Sequence, residues 1–589
     1  MSCYCLQSSD FLEAFLPLPP ESQRKPKPPR IDFEDVAGFI SERDLAERWV
    51  AIVNKNKSLC RGYVVCLPND RWDPTNSSYF KVDGAIYPRR KHPTDGRPHW
   101  GRQRAFVQFR AGGPYNDPFD GAQAKMTSGI RVLASYTAYA FARQQRTASF
   151  VFLINGTEVR VSRWERAGTI FTEAFDYVRD PGLLSEFLWR FSMLPGEDQG
   201  LDPTALLLTR SHKWYKLMDK IALGPLEGQP ADVCGDEGTM IPIPSGEHAP
   251  LSAFKYVREK FAASLQEDSP RYRVAVPTKH EGRFKYFLTG KPTFEASGLL
   301  GRGTRGYIAI DVETKCFVWL KDVWRPYYVN VQAEGINLET LQAADVSSIP
   351  TMLCAGDLRQ ETQMHNHWKP ATDGQDSAKA SEGSRGSKRD RPGTAKPTAR
   401  SDKKEREQHR TRHLSHYRLV VSEVCLPLTD LKTPRQLVQV VLNCVQAHED
   451  AVTNAKLLHG DLSIGNILIL PTLVHRDGKY MVEWRGLLSD WECATPTGSK
   501  PGRHRPPGTW QFRSAALLYW LRLPIAVEDE VESFFHIILY LGARFLWSNI
   551  SHVRPFLHSF FDSYELVKGT YRCGSKKMMA MQSAKTTIP

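Results

Sequence analysis

The stretch 457–470, LLHGDLSIGNILIL, constrains this chain more than any other. It sets Asp461 and Asn466 five residues apart between two aliphatic runs. Burying an unpaired carboxylate costs several kcal/mol, on the order of 3–5 even after relaxation. A purely structural strand has no use for the pair, so the two side chains are expected to serve a site.

The rest of the chain is large enough to build one. At 589 residues it exceeds a single ordinary domain, and its 41% hydrophobic and 11% aromatic residues suffice for several cores. No run reaches the ~20 apolar residues that span a bilayer. Residues 534–547, which carry His536 and Arg544, read as a buried helix. The N-terminus has no basic stretch followed by an apolar one, so no secretory signal is expected. Eleven cysteines form no C-x-x-C pair, which argues for reduced thiols in a cytoplasmic or nuclear protein and against a cysteine metal site.

Net charge is +13, but it is unevenly spread. Residues 369–412 hold 13 Lys/Arg against 7 Asp/Glu and no aliphatic side chain larger than alanine. Such a segment cannot bury a core and reads as a disordered, solvated insert. Its clusters within 385–412, SKRDRP and DKKERE, also fit a weak nucleic-acid contact or a nuclear-import address.

Around that insert the chain divides into a Pro-rich tail (1–35), an α/β region (36–225) and a linker with a connecting segment (226–284). A β-rich segment (285–368) precedes the insert, a helical remainder (413–570) follows it, and 571–589 reads as a second unstructured tail. Within 36–225, residues 104–110 and 148–164 read as strands, the latter a hairpin turning at Asn155-Gly156. Residues 183–194 have helical spacing. Arg143, Arg146, Arg160, Arg163 and Arg166 read as a solvated basic face. Asp83 followed by Gln108 and Arg110 faintly resembles the D…E-x-K arrangement of restriction-type nucleases, but Gln is a poor metal ligand, so a structural platform is expected.

Farther along, Gly301, Gly303 and Gly306 have G-x-G-x-x-G spacing, which lets backbone amides approach phosphate. Two strands follow where a dinucleotide fold needs a helix. Alone, the spacing fits a ligand-free hairpin equally well. Lys321 ends the apolar strand CFVWLK and calls for an anion. The helical segment 333–346 offers Glu334, preferred over Glu339, as its partner. Asp490 ends a short apolar strand 29 residues past Asp461. A carboxylate, hard oxygen donors and a lysine downstream of a glycine loop are the set that phosphoryl transfer requires.

With GRGTRG, VWLKDVWRP, IPTMLCAGD, HGDLSIGNILI, LSDWE, GTWQFRS and EDEVESFFHIILYL in view, the chain from about 298 to 565 resembles the fungal-type protein kinase domain family. Much of 75–215 is similar to the region that precedes the kinase core there. The resemblance implies an α+β, bilobal fold, with a β-rich N-lobe at 285–368, a hinge and α-rich C-lobe at 413–570, and the α/β region as an accessory domain. It implies ATP and Mg²⁺ as cofactors and a protein hydroxyl, of Ser/Thr, as acceptor. By the same resemblance Asp461 is the catalytic base and Asn466 and Asp490 hold magnesium. Lys321, supported by Glu334, contacts the phosphates beneath a lid of Gly301, Gly303 and Gly306. Residues 422–425, with Glu423 and Cys425, form the adenine hinge, and 508–514 form the substrate shelf.

The chain also departs from the pattern. Gly460 replaces the arginine of His-Arg-Asp, which removes the usual partner of a phosphate on Thr495, Thr497 or Ser499. Trp491 and Glu492 replace Phe-Gly after Asp490, which should restrict flipping of that segment. Glu530 or its neighbour Asp529 stands where an aspartate usually braces the catalytic loop. The glycine before Asp461 also suits a small-molecule phosphotransferase of the aminoglycoside or choline type, and a pseudokinase scaffold is a third reading.

Overall fold

A computed structural model describes residues 2–18, 28–68, 82–120, 128–227, 229, 231–241, 253–266, 269–327, 332–367, 413–476, 478–499, 508–519, 524–547, 550–567 and 570–583. The basic insert at 369–412 lies outside them.

The N-terminal region is a mixed sheet of β1 (Ser2–Leu6), β2 (Tyr63–Cys66), β3 (Gly84–Pro88), β4 (Ala105–Arg110), β5 (Ser149–Asn155), β6 (Glu158–Glu165), β7 (Gly168–Thr172) and β8 (Phe175–Asp176). Its order is β1-β7-β6-β5-β4-β3-β2, with β8 on β6. Helices α1 (Ser8–Phe15), α2 (Glu42–Lys55), α3 (Ser128–Arg143) and α4 (Pro181–Met193) flank it. The central strand β5, SFVFLIN, is buried throughout, as a strand covered on both faces must be. Phe150, Phe152 and Ile154 join the core that holds Phe11, Trp49 and Phe187. The alternate residues Val151 and Leu153 join the one that holds Ile130, Leu133 and Phe141. The β5–β6 turn falls at Asn155-Gly156, where Gly156 takes φ +63°.

Three expectations fail in this region. The segment 1–35 is not simply a tail: β1 pairs in parallel with β7 from Ser2 to Leu6, and Phe11, Leu16 and Phe33 are fully buried. The arginines form no solvated face. Arg146 is buried and donates to the carbonyls of Gln103, Arg104, Ala148 and Gln199, and burial pushes its pKa down to about 9. Arg166 is also buried, while Arg160 and Arg163 pair with Asp117 and Glu165. Third, the boundary at 225 is too late, because β9 (Ala205–Leu207) already belongs to the next sheet. Asp83 accepts hydrogen bonds from Gln108 and from the Phe109 amide at 3.0 Å, a structural use of the carboxylate.

The second sheet is built from β9, β11 (Tyr272–Pro277), β12 (Phe284–Thr289), β13 (Phe294–Glu295), β14 (Arg305–Asp311), β15 (Phe317–Pro326), β16 (Met352–Glu361) and β17 (Leu414–Val421). The strand β10 (Met240–Ile241) belongs elsewhere. The order is β16-β17-β15-β14-β12-β11-β9, antiparallel, with β13 on β14. Helices α5 (Lys213–Leu223) and α6 (Lys255–Ser264) pack Met218, Ile221 and Phe261 against Leu288, Ile308 and Ile310. Helix α7 (Glu334–Ala343) packs Leu338 and Leu341 against Leu419 and Val421. The short α8 (Met364–His367) follows β16, and its Met364 lies in the first region's core. Residues 226–284 are therefore more than a linker, since they supply α6, β11 and β10.

The third region centres on α9 (Pro434–Asp450), reciprocally capped by Thr433 and Gln436. It continues through β18 (Leu426–Pro427), β19 (Leu457–Leu458), β20 (Ile467–Arg476), β21 (Lys479–Leu488) and β22 (Thr495–Pro496). One sheet here runs β10-β21-β20-β18. The chain then forms α10 (Ala515–Tyr519), α11 (Val527–Phe545) and α12 (Val553–Leu557), the hairpin of β23 (Tyr564–Val567) and β24 (Thr570–Cys573), and α13 (Ser575–Ser583). The tail from 571 is thus structured as far as Ser583, with the Lys577 ammonium 2.9 Å from the Gln511 carbonyl. The buried helix expected at 534–547 ends at Phe545, and Trp547 is 97% exposed.

Candidate active site

On β15 side chains alternate, and Lys321 faces α7 and the third region. Its ammonium lies 2.6 Å from a Glu334 oxygen, 2.6 Å from Asp490 and 3.3 Å from Glu492. Glu334 opens α7, where a carboxylate also suits the helix dipole. Glu339 points away, pairing with the exposed Lys279 at 3.3 Å.

Electrostatics follow from this crowding. Burial works against the Lys321 charge, but Asp490, Glu334 and Glu492 outweigh it and hold the ammonium well above the usual lysine range. Burial also drives the Glu334 carboxyl up to about 7, although Lys321 pulls the other way. Asp490 is held below its usual range because Lys321 outweighs burial. Two cations, Lys321 and Arg302, face three carboxylates. Oxygens of Glu334, Asp490 and Glu492 lie within 4.8 Å of one another, a hard donor set that suits a divalent cation.

The stretch 457–470 lies beside this cluster. Asn466 donates from Nδ2 to the Asp461 carbonyl at 2.7 Å, and its own carbonyl accepts from the Ser489 amide at 2.8 Å. Asp461 Oδ1 accepts from the Thr509 amide at 2.8 Å and from its hydroxyl at 3.0 Å. Glu530 resolves the register: its carboxylate accepts from the amides of His459 (3.0 Å) and Gly460 (2.5 Å) and meets His448 at 2.6 Å. Asp529 instead accepts from Ser514 at 2.6 Å.

The departures in sequence have physical reasons. Gly460 takes φ +85°, and a Cβ there would sit 2.3 Å from the Cys493 carbonyl, so no arginine fits. Trp491 is fully buried, donates to the Leu488 carbonyl at 2.9 Å, and its carbonyl accepts from Asn337 of α7 at 2.8 Å.

The glycines divide. Gly306 pairs with Lys321 across β14 and β15, and a Cβ there would strike the Trp319 ring at 2.2 Å. Gly301 and Gly303 meet the N-terminal region. The Gly301 amide donates to the Arg166 carbonyl at 3.0 Å, and a Cβ on Gly303 would fall 2.2 Å from the Arg166 guanidinium. Between them Arg302 reaches Glu492 at 2.7 Å. In the 422–425 segment, Glu423 accepts from the Thr351 amide at 2.9 Å, and the Val424 carbonyl accepts from Tyr256. Burial raises the Cys425 thiol pKa.

A family model described as fungal protein kinase matches residues 119–542. The chain belongs to the fungal protein kinase family. That match takes in β5 of the first sheet, the Lys321 cluster and the Asp461 loop in one continuous span. No curated protein matches this kinase-like chain. Among solved structures, one described as the crystal structure of a kinase domain is similar at 14% identity, covering 51% of this chain and 74% of that one, with a TM-score of 0.27. Among the described residues no helix is long and apolar enough to cross a membrane.

Several site residues of this family member escape a reading of sequence. Glu492 could have been suspected from its place two after Asp490. Arg302, Asn337, Thr509 and Tyr256 carry no local signal; their contacts arise only when distant segments meet.

Proposed function

We propose that the protein is a Mg²⁺-dependent kinase that transfers the γ-phosphoryl group of ATP to a protein hydroxyl, of Ser or Thr. The observation that carries this reading is Lys321 Nζ at 2.6 Å from both Glu334 and Asp490, on a fold that brings Asp461 and Asn466 alongside.

In this reading the second sheet with α7 is the N-lobe, the third region is the C-lobe, and the N-terminal sheet is an accessory domain. Lys321, oriented by Glu334, binds the α- and β-phosphates, exchanging carboxylate contacts for phosphate ones. Asp490 and Asn466, with Glu492 adjacent, are the oxygen donors that would hold magnesium, which neutralises phosphate charge when bound. Asp461 orients the acceptor hydroxyl and receives its proton as the oxygen–phosphorus bond forms and the bond from the γ-phosphorus to the bridging oxygen breaks. Backbone groups of Glu423 and Cys425 contact adenine, and Gly306 lets the loop approach the phosphates. Thr509, held on Asp461, joins the 508–514 shelf to the catalytic carboxylate, which favours a chain-like acceptor over a small one.

The test is γ-phosphoryl transfer to a peptide array with Mg²⁺, comparing the wild type with Asp461→Ala. Label on Ser or Thr peptides that vanishes in the variant is the expected result. Nucleotide binding without transfer would make the protein a scaffold, and transfer only to aminoglycosides or choline would make it a small-molecule kinase.

A further inference from the structure

A cavity bounded by described residues lies away from the Lys321 cluster and shares no lining residue with it. It has a volume of about 520 Å³, within the range of small-molecule sites. One wall is the N-terminal region, at residues 90–102 and Arg143; the other is the second sheet's edge, from Leu207 to Tyr215 and from Ser269 to Arg271.

Its charge is one-sided. Arg90, Lys91, Arg102, Arg143, Arg210 and Arg271 line it, together with His92 and His99, and among the described residues no carboxylate does. The side chains of Arg90, Lys91 and Arg102 make no hydrogen bond or ion pair among the described residues. Arg271 is built in rather than draped over the surface. It is 5% exposed, its guanidinium lies 3.8 Å above the Tyr215 ring, and Asp219 holds one nitrogen at 2.6 Å. Its Nε is buried without a partner. Arg143 likewise has a buried Nε without a partner, and it donates to the Tyr139 hydroxyl at 3.2 Å. Asp219 holds Arg271 and Asp95 holds His99, but Arg90, Lys91, Arg102 and Arg143 have no carboxylate partner among the described residues, and an anion relieves their mutual repulsion.

We propose that this cavity is a binding site for a compact polyphosphorylated small molecule that bridges the N-terminal region and the second sheet. A single phosphomonoester carries a charge of about −1.5 to −2, too little for cations on two walls, whereas several phosphates on one scaffold match both. Arginine's fork suits phosphate oxygens. Bound there, the ligand would fasten the two regions together.

The experiment is calorimetric titration of the full chain, without added metal, using three probes: inositol hexakisphosphate, inorganic tripolyphosphate and a singly phosphorylated peptide. Binding of at least one polyphosphate with a micromolar Kd and a rise in Tm is expected, weakening steeply as salt is added. The exposed double variant R90E/R102E should lose about tenfold or more in affinity while its unliganded Tm stays unchanged. Asp490→Asn should bind as the wild type does. Tighter binding of the hexakisphosphate points to a cyclitol phosphate, and tighter binding of tripolyphosphate to a nucleotide or linear polyphosphate. Four results would overturn the proposal: no polyphosphate binding, capture of the phosphopeptide alone, undiminished binding by R90E/R102E, or loss of binding in Asp490→Asn. The last would put the anion in the nucleotide cleft.

Discussion

Lys321 and Asp322 are neighbours on β15, yet each anchors a different buried ion cluster on its own face of the sheet. Asp322 meets His416 at 2.8 Å, Arg418 at 2.9 Å and Arg305 at 3.4 Å, and Arg418 continues to Asp202 at 2.5 Å. The side chains of Asp322, Arg418 and Asp202 are at most 1% exposed. Two arginines balance two aspartates, and the remaining donors reach Thr204, Gln360 and the Ala275 carbonyl. Across the strand three carboxylates outnumber two cations, and Asp490 keeps 30% of its side chain in solvent. The closed, neutral cluster joins the N-terminal region to the second sheet. The open, unbalanced one retains capacity for a ligand. Buried charge alone does not mark a site; the imbalance and the opening do.

That contrast can be broken by substitution. Asp461→Ala should lower kcat by about 10²–10⁴-fold in a peptide phosphorylation assay, with Tm nearly unchanged. Arg418→Met should do the reverse. It strands Asp322 and Asp202, at a cost of about 3–5 kcal/mol, visible as an earlier denaturant midpoint. A folded Arg418→Met protein of wild-type stability would erase the distinction.

Acid sharpens it. Burial favours the neutral form of Asp202, but Arg418 outweighs it and holds the carboxyl down to about 2, against 3.8 in an unfolded chain. The unfolded state therefore binds the proton more readily. The contribution, about 2 kcal/mol, is complete above pH ~4 and disappears as pH falls toward the folded value. Acid unfolding of Asp202→Asn should lack that portion of the slope. The smallest effect is expected from Glu492→Gln, which removes one carboxylate of the open cluster. Mn²⁺ affinity, read by paramagnetic relaxation, should fall by about tenfold, and stability should hold.

The stretch 457–470 stood out because charged and amide side chains between aliphatic runs need a reason. The preference for Glu334 over Glu339 agrees with the geometry, one carboxylate meeting Lys321 and the other Lys279. What stayed hidden depended on contacts distant in sequence. β1 becomes a strand only by pairing with Gly168–Thr172, and composition near Ser2 does not report that. Arg146 reads as solvated because its partners are backbone carbonyls, which every residue has. Gly303 looks like a phosphate glycine because a close approach by Arg166 makes the same steric demand, and Gly301 because its φ of +88° favours glycine.

The Trp491 contacts reach further than anchoring one side chain. With the indole sunk in the core and the carbonyl gripped from α7, any outward movement of the stretch after Asp490 must first break both holds. A segment pinned in this way resists swinging outward, so control of the proposed activity would have to act at the entrances: on what docks, or on how firmly the regions are held together.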